Sequence, residues 1–298
     1  MQEASRILYR VQRQSAPYLF VAPAVIFYLI VTVIPMVMGF WMSLHRWNII
    51  GRRQIWLGLG NYVALFHDPS FWRSLYNSLV YAAGVVPAEL VGGLLVAVLL
   101  NSGLRLRTFY RLIYYLPVIT PVAVAAVIWR WIYDPYYGIF TWAVRTVGLG
   151  PRDWLNDTRT AMTAVMIVAV WGGIGFRMVV FLAALQGIPS TFYEAARIDG
   201  ADTWQLFRAI TLPLLKPAVL FVLITSFISS LQVFPLINIL TGGGPLDATR
   251  VVVYDIFDRA FGDMRFGAAA AMSFMLFAVI MIISLLQWRF LGRDVTYE

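Results

Sequence analysis

The chain has 298 residues, 60% of them apolar and 13% charged, with a mean hydropathy of +0.75 and a formal net charge of +8. Soluble domains carry roughly 45–50% apolar and about 25% charged residues, so this balance argues against a water-soluble fold. The arginines are scattered between apolar blocks rather than gathered into the basic stripe that nucleic acid requires, which leaves lipid headgroups as their natural neighbours.

Other chemistries fall away on residue type. Without cysteine there is no disulfide, thiolate nucleophile or Cys-based metal site, and His45 and His67 stand far apart with no HExxH-like partner. The one lysine, Lys216, lies in Leu-Leu-Lys-Pro, not in the Gly-rich Gly-Lys-Ser/Thr turn of a P-loop, so the chain cannot bind ATP in that manner. Paired carboxylates, a HExxH helix or a Ser/Lys dyad, which an intramembrane enzyme would need, are not evident.

A helical crossing needs about 20 mostly apolar residues, and six such windows occur. They predict an all-α polytopic membrane protein: a cytoplasmic segment, 1–17, then a single membrane domain, 18–298. Span one covers 18–44, span two 75–100, span three 112–133, span four 161–185, span five 214–240 and span six 268–290. The first window follows Arg6, Arg10 and Arg13 like a secretion signal, but it runs too far through Pro35 and Gly39 to Trp41, and no cleavage site follows. Arg105, Arg107 and Arg111 between spans two and three, unaccompanied by acid, join the basic N-terminus in placing both termini in the cytoplasm.

Prolines 23, 35, 117, 121 and 235 fall within spans one, three and five. They predict kinks, whether along a path or as ordinary packing irregularities. Trp41, Trp47, Trp129, Trp131, Trp142 and Trp288 lie near span ends, where an indole anchors among headgroups.

Between spans four and five, residues 188–213 read as two short ordered helices. Ser190 is placed to cap the first, Gly200 to end it in a left-handed turn, and Asp202 with Gln205 to form a capping box for the second. Ala195 and Ala196 leave a shallow surface beside Phe192 and Tyr193. A partner could approach there and hydrogen-bond Glu194, or the helix could simply lie on lipid.

Here the sequence resembles a known family. Glu194-Ala195-Ala196, Asp199-Gly200, Ile210 and Leu212-Pro213 are similar to the EAA loop of importer permeases in the ABC transporter superfamily. Tyr18 to Pro23, Gly58 to Tyr62, Phe71-Trp72, Thr241 to Pro245 and Ala248-Thr249 resemble its carbohydrate-uptake branch, with maltose-type and glycerol-3-phosphate-type subunits nearest. The chain looks like the compact six-span members, without a large inserted external domain.

The resemblance implies the type I importer permease fold in the cell inner membrane. It also implies a second homologous permease, two ABC ATPase subunits that hold ATP and Mg, and an external solute-binding protein. The permease would be non-catalytic, with no cofactor or metal of its own. The EAA helix would sit in an ATPase cleft and act as a lever that switches the path between inward-facing and outward-facing states. A rival of another class is a membrane scaffold for an ATPase.

Within the spans, Ser226, Ser229, Ser230 and Val233 follow i, i+3, i+4, i+7 along one expected helical face. The face suits sugar hydroxyls or, equally in chemistry, helix–helix contact; in the family it matches path-lining positions. Trp171 and Phe176 could stack on a sugar ring. Gly172 and Gly173 permit close approach of solute or of another helix. Glu89 in span two and Arg177 in span four lie at similar depth, which predicts an ion pair; alternatively Arg177 faces the path and attracts a phosphorylated or acidic solute.

Overall fold

The computed structural model describes residues 18–48, 53–102, 105–146, 148 and 153–292. The basic N-terminus, with Arg6, Arg10 and Arg13, lies outside the described residues. Among the described residues, four unbroken helices are long and apolar enough to cross a membrane: α1 (Tyr18–Ser43), α3 (Pro69–Asn101), α7 (Ala161–Gln186) and α13 (Phe266–Leu291), where α2 is the short Gly60–Phe66 helix. Two bent pairs also qualify. These are α4 (Arg107–Ile119) with α5 (Val122–Ile132), bent by 99°, and α9 (Thr203–Leu214) with α10 (Lys216–Leu231), bent by 63°. Each pair taken as one span, the described residues hold up to six segments long and apolar enough to cross a membrane, although the second pair begins at Thr203, ahead of the expected start of span five at 214.

The intervening helices are α6 (Ile139–Thr146), α8 (Ser190–Ile198), α11 (Pro235–Leu240) and α12 (Val252–Phe257). Span two starts earlier than hydropathy suggests because Asp68 caps α3, accepting from the Ser70 amide at 2.9 Å with Pro69 at the first helical position. Span three is not one rod. Pro121 drives Thr120 into an extended conformation, which ends α4. Span five also departs from expectation: α10 stops at Leu231, and Gln232, Val233 and Phe234 form a break before Pro235 opens α11. Val233 therefore does not continue the helical face of Ser226, Ser229 and Ser230.

The chain divides into two units. The first comprises 1–65 with 259–274. It includes a hairpin that apolar windows do not reveal, β1 (His45–Asn48) antiparallel to β2 (Arg53–Trp56), with His45 opposite Trp56. His45 is buried against Trp41 and Trp56, its Nδ1 2.7 Å from the Trp41 carbonyl. Asn61 fastens the α1 end by donating to the carbonyls of Ser43 and His45.

The second unit, 66–258 with 275–298, holds the candidate site. In it α3 and α7 pack along their lengths, α10 leans on α3 and α7, α4 on α7, and α11 on α5. Two apolar cores form along the α3–α7 contact. One gathers Tyr81, Val85, Val165 and Val168 with Ile237; the other gathers Ala97, Leu100, Met178 and Phe181 with Leu215. Trp129 is half-buried and packs against the first, edge-on to Trp171 with ring centroids 5.5 Å apart. Trp131, Trp142 and Trp288, by contrast, are exposed.

The Thr241–Thr249 loop is stitched to α3. Arg73 donates to the Leu246 carbonyl and Asn77 to those of Asp247 and Arg250, while within the loop Thr249 Oγ1 donates to the Gly244 carbonyl. Arg250 reaches Asp255 at 2.8 Å and Asp258 at 2.6 Å. Burial opposes its charge, but the two carboxylates hold its pKa above the usual arginine value. Asn77→Leu strips a donor from two loop carbonyls. It is expected to cost about 1–3 kcal/mol, read as a lower melting temperature of the purified protein in detergent.

Candidate functional site

Between the two cores, halfway along α7, the second unit opens into a cavity of about 450 Å³, within the range of small-solute sites. Its wall includes Trp171, Gly172, Gly173, Phe176 and Arg177 from α7, Ser229 and Ser230 from α10, and Val233 from the break. Eight of the nine residues expected along a solute path are thus brought together. The ninth, Ser226, is fully buried behind the wall and accepts from Arg177 Nε at 3.0 Å.

Sequence reasoning missed Tyr81, Thr120 and Gln232, which also line the cavity, whereas Pro117, expected as a kink along a path or in packing, is in the wall. The proline-punctuated stretches 117–121 and 232–235 were the available signal. In lipid, a helix can break only where other groups satisfy its freed backbone, and both breaks border this cavity.

Glu89 and Arg177 meet as expected. Arg177 Nη2 lies 2.7 Å from Glu89 Oε2, with side chains 14% and 5% exposed, and both residues line the cavity. The contact is Coulombic, without the alignment of a hydrogen bond. Two further guanidinium donors are used: Nε donates to Ser226 Oγ and Nη1, at 3.3 Å, to the Gly173 carbonyl.

The two readings of the span-four glycines divide by position. A Cβ on Gly172 would meet nothing, so that residue widens the cavity. A Cβ on Gly173 would strike the Glu89 carboxylate, and one on Gly175 the Tyr114 backbone, so those two serve close packing.

The 188–213 loop is ordered as expected, with one correction. Ser190 is the first residue of α8, and Pro189, which offers no side-chain bond, occupies the cap. Gly200 (φ +83°) ends α8 in a Schellman turn: the Ala201 amide donates to the Ala196 carbonyl and the Gly200 amide to that of Arg197. Asp202 and Gln205 form the reciprocal capping box, both bonds 2.8 Å. Tyr193 Oη, 3.0 Å from Thr211 Oγ1, braces α8 against α9. Glu194, Ala195 and Asp199 are left exposed, Ala196 half-buried, with Leu212 and Pro213 exposed and Ile210 half-buried on α9.

The family described as "binding-protein-dependent transport system inner membrane component" matches residues 89–295. The chain belongs to this family. As such a component it is a multi-pass inner-membrane transport subunit with the type I importer permease fold, as the resemblance implied. The trehalose/maltose transport system permease protein MalF of Thermococcus litoralis is 35% identical, over 89% of each chain. The sn-glycerol-3-phosphate transport system permease protein UgpA of Yersinia pestis is 33% identical, over 95% of this chain and 96% of its own. In fold, the chain matches a solved bacterial ABC transporter involved in import of the acidic polysaccharide alginate. The TM-score is 0.85 at 24% identity, over 98% of this chain and 100% of that one.

Gly173→Ala forces the Glu89 carboxylate aside, an overpacking expected to cost about 1–3 kcal/mol. Gly172→Ala, pointing into open space, is expected to hold or raise stability by up to about 1 kcal/mol. Thermal unfolding of the two variants side by side checks the contrast.

Proposed function

We propose that this chain forms half of the translocation path of an ATP-driven importer for a sugar or oligosaccharide, working by alternating access. The observation that carries the reading is the cavity: indole and phenyl faces at Trp171 and Phe176, with hydroxyl and amide groups at Ser229, Ser230 and Gln232. Aromatic faces take the apolar face of a pyranose, and hydroxyls and amides exchange hydrogen bonds with its rim. A scaffold has no need of such a chamber, and this counts against that rival.

In this reading a second homologous permease supplies the other half of the path. An external solute-binding protein delivers the solute, and two ABC ATPase subunits bind ATP and Mg and hydrolyse the nucleotide. Both termini and the Arg105, Arg107 and Arg111 loop face the cytoplasm, in keeping with the positive-inside rule. The exposed Glu194, Ala195 and Asp199 edge of α8, with Ala196 and Gly200 shaping it and Ile210, Leu212 and Pro213 continuing into α9, docks in an ATPase cleft. The Schellman turn, capping box and Tyr193–Thr211 brace support this role, because only a stiff element transmits a displacement.

A second reading, a glycerol-3-phosphate-type solute, is favoured by Arg177 in the cavity wall and by the likeness to UgpA. ATP hydrolysis by the complete assembly in lipid, with its binding protein, is to be measured across saccharides and glycerol phosphates. Stimulation by a saccharide is expected. Glu194→Ala should lower the stimulated rate by about 5–150-fold, the usual span of coupling energies. No stimulation by any solute, together with a silent Glu194→Ala, would return the chain to the scaffold class.

A further inference from the structure

We infer that Glu89 sets the charge class of the solute: by holding Arg177 in an internal ion pair it leaves the cavity wall neutral and suited to uncharged saccharides. This rests on the carbohydrate-path reading above and decides between its two solute classes.

The pair is built reciprocally into two helices. On α3, Glu89 precedes Gly93 by four residues; on α7, Gly173 precedes Arg177 by four. Each glycine faces the other helix's ionic residue. A Cβ on Gly173 would collide with the Glu89 carboxylate, and one on Gly93 would stand 2.6 Å from Arg177 Cβ and 3.1 Å from the adjoining backbone. With side chains removed at both crossings, the helices close far enough for Nη2 to reach Oε2 at 2.7 Å.

The pairing has two consequences for a solute. Among the described residues, Glu89 and Arg177 are the only charged ones of the cavity wall, so their mutual neutralisation leaves no net charge there. Arg177 also has its Nε and one Nη1 N–H committed to Ser226 and Gly173 while Nη2 faces Glu89, so a phosphate or carboxylate meets a guanidinium whose charge is already compensated, with one N–H on each terminal nitrogen left to offer. A free anion must displace a carboxylate already tethered in place, and unlike Glu89 it loses translational freedom on binding. Remove the Glu89 charge and the balance inverts, because an unpaired guanidinium in a half-dry cavity is costly and takes whatever anion can enter.

The test uses the complete assembly in lipid with its binding protein, and sulfate as an anion probe against chloride at matched ionic strength. Saccharide uptake by wild type is expected to be indifferent to the exchange. Sulfate is expected to lower uptake by Glu89→Gln about tenfold or more, the scale of one charge-assisted hydrogen bond, and Glu89→Gln/Arg177→Gln should recover indifference. Sulfate-dependent thermal stabilisation of the same three assemblies gives a readout that needs no transported solute. If Glu89→Gln does not assemble, Glu89→Asp, its carboxylate withdrawn by one methylene, should show the same sensitivity in weaker form. Sulfate sensitivity already present in wild type, absent from the single variants, or persisting in the double variant overturns the masking role. A wild type stimulated by sn-glycerol 3-phosphate and by no saccharide overturns the carbohydrate reading, while the thermal comparison still reports on the pair by itself.

Discussion

A backbone carbonyl or amide left without a partner in hydrocarbon costs several kcal/mol, and from this constraint most of the architecture follows. It demands helices, and it dictates where helices are allowed to stop. The chain breaks its spans at Thr120-Pro121 and at Gln232 to Phe234, and residues from both breaks border the cavity. Polar groups released at such places face protein or a solvated chamber instead of lipid. The same irregularities that would be intolerable on the outside of the bundle therefore furnish the polar surface of its interior.

Periodicity and apolar length made much of this legible. Six spans could be read because a bilayer sets a minimum length that few soluble segments satisfy, and α1, α7 and α13 fall within two residues of their expected limits. The loop at 188–213 was legible for another reason: Gly200, Asp202 and Gln205 act on their own backbone neighbours, so local sequence carries the whole signal. The Glu89–Arg177 pair could be anticipated because lone ionisable groups at matching depth seek each other.

What escaped the sequence depends on distant partners or on competition between neighbours. Val233 continues the serine pattern in spacing, yet Pro235 two residues later removes an amide and ends the helix first. Trp129 reads as an interfacial anchor by position alone, and its edge-on packing on Trp171, over forty residues away, is visible only in the fold. The β1–β2 hairpin is too short to register against long apolar windows, and its pairing is visible only once both strands are placed. Whether a span-four glycine opens a chamber or closes a helix contact is a matter of which residue stands opposite, and Gly172 and Gly173, adjacent in sequence, differ completely in this.

The reciprocal arrangement of Glu89, Gly93, Gly173 and Arg177 also bears on how such a chain can diverge. No member of the quartet can drift alone: an acid without its base strands a charge, and a side chain on either glycine pushes the opposite ion out of reach. Among related permeases the four positions should be inherited as one character, kept together or abandoned together. A lineage moving between uncharged and anionic cargo would then show its change as a coordinated replacement across two helices, more than eighty residues apart in sequence, rather than as scattered substitutions around the cavity.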